Sequence, residues 1–224
     1  MKSIDVMVDG YAMRLHLSAV GGALPLVFIN DNIESGDGVA ALLDNLPLNV
    51  AVVDPGVWED ALTPWPEPGL SSKGPQFGGK GRDLIRAYWK KIIPKAEQMV
   101  VIKPCCRIIS GYSLAGLWGV YAGWESGLFE RVAVASASLW YEGFLDYLKT
   151  KEPASSLRRI HMALGRKEAK ARNPRLARIG EATAEARTLM QQKGVTSNLV
   201  MTEGGHFTNA ASRLADTIRA VVRE

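Results

Sequence analysis

Gly111-Tyr112-Ser113-Leu114-Ala115-Gly116 decides how this chain of 224 residues is read. It follows a short apolar run, Cys105 to Ile109, and opens a segment from Leu114 to Trp124 that reads as a helix. A serine at a strand-to-helix elbow, with small residues two positions to either side, is how a hydroxyl is held up as a nucleophile. The elbow strains the serine's backbone, and bulk at Gly111 or Ala115 would collide with the neighbouring strand and helix. Ala115 takes the last place of the usual G-x-S-x-G pattern. Gly116 and Gly119 keep the next helical turns thin enough to lie close to a sheet.

A nucleophilic serine needs a base, and the base needs an orienting acid. The chain has three histidines. His16 falls within a predicted N-terminal hairpin and His161 within a predicted strand, Ile160 to Leu164, so both read as structural. His206 differs, because Glu203-Gly204-Gly205-His206-Phe207 lies between the last predicted strand and the last predicted helix. Such a loop leaves the carboxyl edge of the sheet, where open α/β sheets bind ligands. The acid is expected between serine and histidine in the chain, just past a strand end. Leu164-Gly165-Arg166-Lys167-Glu168 meets that description and makes Glu168 the expected orienter, with Glu203 as the runner-up and Asn173 as a neutral third. Acyl transfer also requires donors for the oxyanion. The backbone N–H of Leu114 is one. The second is expected from Asn30-Asp31-Asn32, with Asp31 favoured and Asn32 next.

The other elements follow from hydrophobic spacing. Ile4, Val6 and Val8, the turn Asp9-Gly10, then Met13, Leu15 and Leu17 predict an antiparallel hairpin. Strands are predicted at 25–29, 50–53, 132–135, 160–164 and 198–201, and helices at about 38–45, 83–98, 144–149, 174–192 and 208–223. Residues 54–82, rich in proline, glycine and tryptophan, read as a long ordered loop. A hairpin followed by alternating strands and helices predicts a mostly parallel sheet covered on both faces, in one domain spanning 1–224 without a lid domain. Trp65, on the long loop, Trp140, after the 132–135 strand, and Tyr112, beside the serine, are the candidates for contact with substrate.

Composition narrows the classes. Hydrophobic residues make up 47% of the chain and charged residues 22%, as in an ordinary globular domain. No apolar run approaches the roughly 20 residues that span a bilayer, and the N-terminus lacks the layout of a signal peptide. Cys105 and Cys106 are adjacent on a predicted buried strand and point to opposite faces, which argues against a mutual disulfide or a metal site. A cytoplasmic setting is expected, with no metal and no cofactor. The net charge is only +4. The basic run from Arg166 to Arg178 is interrupted by Glu168 and Pro174 and lacks interleaved aromatics, so it reads as a solvated face and not a nucleic-acid patch. Gly74 to Gly81 nearly matches the phosphate loop G-x-x-x-x-G-K-[ST]. Gly81 replaces the hydroxyl, Pro75 removes an amide, and no strand precedes it, so it reads as a surface loop.

With Ser113, Glu168 and His206 in that order, the chain resembles the α/β-hydrolase superfamily, and within it the lidless serine esterases related to esterase D and enterochelin esterase. Gly111 to Gly116, Leu164 to Glu168 and Gly204 to Phe207 carry the likeness, with Asp60-Ala-Leu-Thr-Pro-Trp-Pro66 similar to a turn of that group. The resemblance implies an eight-stranded, mostly parallel sheet and an ester hydrolase working through an acyl-enzyme on small-molecule esters. The third-strand loop departs from many esterases in lacking their His-Gly pair. The same triad would serve siderophore lactone hydrolysis or acyl transfer to another alcohol, and a binding protein that has lost activity would keep the fold.

Overall fold

The computed structural model describes residues 1–71 and 73–223. The N-terminal hairpin pairs β1 (Lys2–Val8) with β2 (Tyr11–Leu17) in antiparallel register, Val8 opposite Tyr11 across the Asp9-Gly10 turn. Next come β3 (Leu26–Asn30), α1 (Ile33–Leu42) and β4 (Asn49–Val53). Helix α1 starts earlier than the expected Gly38. Asn32 caps it by accepting the Ser35 N–H at 2.9 Å. Gly36 and Gly38 are poor helix formers and hide this start from a propensity reading, yet a side chain at Gly36 would strike Val52.

Residues 54–80, expected to be loop, contain a short helix α2 (Trp58–Ala61) and a two-stranded ribbon of β5 (Pro66–Glu67) with β6 (Phe77–Gly78). The following helix is α3 (Gly81–Ala87), a π-helical turn at Tyr88–Ile92, then α4 (Ile93–Met99). Pro94 explains the π turn. It has no N–H to donate to Lys90 and its ring crowds that carbonyl, so the helix widens and the Ile93 N–H reaches back to Tyr88.

The second half runs β7 (Arg107–Tyr112), α5 (Leu114–Ser126), β8 (Arg131–Ala135), α6 (Phe144–Thr150), β9 (Arg159–Gly165), a single 3-10 turn (Glu168–Lys170), α7 (Pro174–Ala177), α8 (Ile179–Gln192), β10 (Thr196–Thr202) and α9 (Ala210–Arg223). The helix expected over 174–192 is two helices, parted at Arg178. The cysteines precede β7 instead of lying on it, with Cys105 exposed and Cys106 half-buried.

All eight long strands form one sheet in the order β1-β2-β4-β3-β7-β8-β9-β10, antiparallel only at β1/β2 and β2/β4. β3, β7 and β8 are buried on both faces, which is why they read as continuous apolar runs. On one face, Phe28, Tyr88 and Phe129 meet edge to face at 5.5–6.1 Å beneath Trp118. On the other, α1 and α9 cover Val27, Ile29, Val50 and Val52. Fully burying each such side chain contributes roughly 1.5–3 kcal/mol, so the sheet fixes the strand ends firmly. Among the described residues no helix is long and apolar enough to cross a membrane.

Candidate active site

Ser113 occupies the turn between β7 and α5 with φ 56° and ψ −118°, a conformation few non-glycine residues adopt. Neighbouring backbone holds it there: its N–H donates to Ala135 at 3.1 Å, and its carbonyl accepts from Leu117 and Ser138, each at 3.0 Å. A side chain at Gly111 would come within 2.5 Å of the Ala115 backbone, so the elbow closes only with glycine at that place. Ala115 itself is fully buried and accommodated.

His206, on the loop between β10 and α9, brings Nε2 to 3.2 Å from Ser113 Oγ. Its Nδ1 lies 2.8 Å from Oε2 of Glu168, which opens the 3-10 turn after β9. The structure thus joins the three residues from three strand ends into one hydrogen-bonded series. A hydroxyl, an imidazole and a carboxylate so arranged can move a proton from serine to histidine while the carboxylate offsets the imidazolium. Glu203 is exposed and pairs with Arg166 at 3.4 Å, and Asn173 caps α7, so neither reaches the imidazole. His16 is a strand residue of β2, held by Ser3 and Asp37.

Burial pushes the Glu168 carboxyl up, but hydrogen bonds from His206, Ser136 and the Gly165 amide outweigh it and hold the group below the usual carboxylate range. Behind Glu168 stands Arg213 of α9, only 3% exposed. Its Nη1 lies 2.7 Å from Glu168 Oε1, 2.8 Å from Ser136 Oγ and 2.9 Å from the Tyr112 hydroxyl. Its Nη2 donates at 3.2 Å to the carbonyls of Glu203, Gly205 and Thr208, which bracket His206. One guanidinium therefore ties the acid to the histidine loop. A Cβ at Gly165 would meet Gly204, Arg213 and Glu168 at 2.6–2.9 Å, so the crossing demands glycine. The sequence reading missed Arg213, although it lies among Leu214, Thr217, Ile218 and Val221 on the buried face of α9. An arginine inside an apolar stripe is the signal that marks it.

The expected substrate contacts divide. Trp140 lines the cavity in front of Ser113. Tyr112 borders it too, but its hydroxyl donates to the His206 carbonyl and is spent on bracing that loop. Trp65 does not reach the cavity. It packs against Tyr141, Phe144 and Tyr147 and donates from Nε1 to Glu142, an internal prop and not a substrate wall. The oxyanion expectation at Asp31 also changes. Its N–H donates to Val53 at 3.2 Å, because β3 keeps its ladder with β4 one residue past its end. The Asn32 N–H is taken at 2.8 Å by the Asp31 carboxylate itself. That carboxyl is pushed up to about 6, first by burial and then by the nearby charge of Asp54, against the lowering effect of the Asn32 amide.

The cavity measures about 1010 Å³. Trp58, Leu70, Pro75 and Phe77 of residues 54–80 form its front, and Phe207, 91% exposed, stands at its rim. Arg175, expected as part of a solvated face, instead lies 5.8 Å over the Phe77 ring and 5.4 Å over Trp140, and donates to the Pro68 carbonyl at 2.8 Å. The near-phosphate-loop is part of this wall, with Lys80 bound to Asp60 at 2.6 Å. Among the described residues no group of three histidine, cysteine or acidic side chains is placed to hold a metal ion.

No model of a protein family matches the chain. It is 25% identical over 191 residues to a Bacillus subtilis (strain 168) protein described as uncharacterized protein YbbA, covering 81% of this chain and 76% of that one. Among solved structures it is similar to an IroE-like serine hydrolase from Shewanella oneidensis, with TM-score 0.80 and 17% identity over 99% of this chain and 80% of that one. It is also similar to the siderophore hydrolase EstA from Aspergillus nidulans, with TM-score 0.71 and 15% identity, covering 99% and 93% of the two chains. A third likeness is to an enterobactin hydrolase IroE in complex with DFP, with TM-score 0.69 and 17% identity over 100% and 95%. At these identities the comparisons show the fold, that of an α/β hydrolase.

Proposed function

We propose that this protein is a serine hydrolase that cleaves carboxylic esters of small molecules, with Ser113 as nucleophile, His206 as general base and acid, and Glu168 as orienting acid. The hydrogen-bonded series Ser113–His206–Glu168, opening on a cavity of about 1010 Å³, carries the reading. Structural neighbours described as serine and siderophore hydrolases support it.

Ser113 Oγ attacks the ester carbonyl as His206 Nε2 takes its proton. The imidazolium then protonates the leaving alcohol, and water, activated by the same nitrogen, releases the acid from Ser113. Glu168 fixes the ring so that Nε2 faces the serine. The Leu114 N–H, first in α5, faces developing negative charge with the favourable end of the helix dipole behind it. Two free cysteines fit a cytoplasmic setting.

A fluorophosphonate probe tests the assignment directly. Stoichiometric labelling of Ser113, and loss of both labelling and p-nitrophenyl ester turnover in a folded Ser113→Ala variant, are expected. Undiminished turnover in that variant would end the proposal.

A further inference from the structure

The carboxylates are the ionised side chains that line the cavity at Ser113, with the Arg175 guanidinium standing behind the wall on Phe77 and Trp140. Asp31, Glu34 and Glu59 line the cavity along with Glu168, and no lysine or arginine does so among the described residues. This is the reverse of the chain as a whole, which has 27 basic against 23 acidic side chains. Most carboxylates of this protein have a cation beside them, as Asp5, Asp37 and Asp60 do. None of Asp31, Glu34 and Glu59 makes an ion pair among the described residues. Glu168 is already satisfied by His206 and Arg213.

Asp31 is the most telling of the three. It follows Asn30, which is the register partner of Gly111, so it stands at the strand end beside the Ser113 elbow. Its Oδ1 is held by the Asn32 N–H at 2.8 Å and faced by Asn32 Nδ2 at 3.3 Å. Its Oδ2 has no hydrogen bond among the described residues. A half-buried carboxylate, oriented by its own loop and given no counter-ion, has its charge left for a ligand. A negative group here also opposes the anionic intermediate on Ser113 unless something positive lies against it. An anionic ester would meet repulsion from three carboxylates. A neutral one would leave them unpaired.

We infer that the preferred substrates are esters bearing a protonated amine close to the scissile carbonyl, with the ammonium on Asp31 and the field of Glu34 and Glu59 behind it. Trp58, next to Glu59 in the chain and lining the same cavity, is an aromatic side chain on which such a cation can rest. The apolar remainder, Val39, Leu70, Phe77 and Trp140, takes a hydrocarbon side chain. The inference rests on the esterase reading and narrows it to a substrate class.

Three p-nitrophenyl esters on one skeleton test it: leucine, N-acetyl-leucine, and 4-methylpentanoate, which is leucine without its amine. Each kcat/KM is divided by the rate of hydroxide hydrolysis of the same ester, since an ammonium activates the carbonyl by itself. The normalised value for the leucine ester should exceed the other two by roughly tenfold or more, as a partly desolvated charge pair provides. In Asp31→Asn that ratio should collapse toward one. Glu59→Gln should lower it as well, and supplies the comparison if Asp31→Asn does not fold. Equal normalised values in the wild type, or preference for the neutral esters, would overturn the inference while leaving the esterase reading intact. No turnover of any ester, together with no fluorophosphonate labelling of Ser113, would be the failure of the esterase reading instead.

Discussion

Replacing Arg213 with methionine should unsettle the site from behind without touching any atom that meets substrate. The guanidinium and the Glu168 carboxylate are 3% and 5% exposed and 2.7 Å apart. Methionine fills most of the stem's volume but leaves Glu168 Oε1, Ser136 and Tyr112 without their shared donor, and frees the carbonyls of Glu203, Gly205 and Thr208. Removing one partner of a buried pair costs about 3–5 kcal/mol. For a chain of this size, each 1 kcal/mol lowers Tm by about 2–4 °C, so a fall of about 10 °C is expected. Arg213→Lys should fall less, since an ammonium can still meet Glu168 but cannot also span three carbonyls. Differential scanning calorimetry at pH 7 measures both. Turnover at a temperature where both variants are folded should drop through kcat, because the loop that carries His206 loses its tether. A methionine variant melting within about 2 °C of the wild type, with kcat unchanged, would refute the idea that this arginine links acid and histidine.

Glu168→Gln should lower kcat by about 10³–10⁴ through loss of ring orientation, whereas Glu203→Gln should leave it unaltered, both read by p-nitrophenyl acetate hydrolysis. Glu168 is held below its ordinary range in the folded state, so its contribution to stability is fully present above the unfolded carboxylate range and disappears as pH falls through the folded value. Asp31 has the opposite sign: raised to about 6, it destabilises the fold as pH climbs through that value. Asp31→Asn should therefore stabilise the protein at pH 8 by about 1 kcal/mol, after discounting for its partial exposure, with no gain at pH 4 in urea titrations. Gly111→Ala places a Cβ 2.5 Å from the Ala115 backbone and should destabilise by about 1–3 kcal/mol or more; an unshifted urea midpoint would contradict the packing described.

The parts legible in the sequence share one trait: each is set by local chain chemistry. Strand β7 followed by small residues around Ser113 announces the elbow, and glycines before His206 and after Leu164 announce turns at strand ends. Chain order then offers Glu168 before His206, and the strand pattern finds every strand of the large sheet, with ends displaced by up to about three residues at β7. What stayed hidden depends on contacts between distant segments. Whether Trp65 faces substrate or packs on Tyr147 is decided by how the 54–80 segment folds back, which its tryptophans and prolines do not encode. The Asp31 amide looked available because nothing local says that β3 pairs with β4 one residue further. The π turn was invisible to helical spacing, yet Pro94 was its mark.

The front of the cavity is latched by the stretch that also carries Glu168. Asn173 Nδ2 donates to Leu70, and Arg175 grips the carbonyls of Pro68 and Gly69, only a few residues after Glu168. The entrance and the Glu168 turn are consequently joined by a short stretch of chain: a substrate that pushes the 68–70 edge outward pulls on the segment leading back to Glu168, against the hold of Arg213, Ser136 and the Gly165 amide on its carboxylate. Bulky ligands should thus be rejected by detuning the chemistry as much as by lack of room, and widening this mouth by engineering calls for slack between positions 168 and 175 before any trimming of the wall.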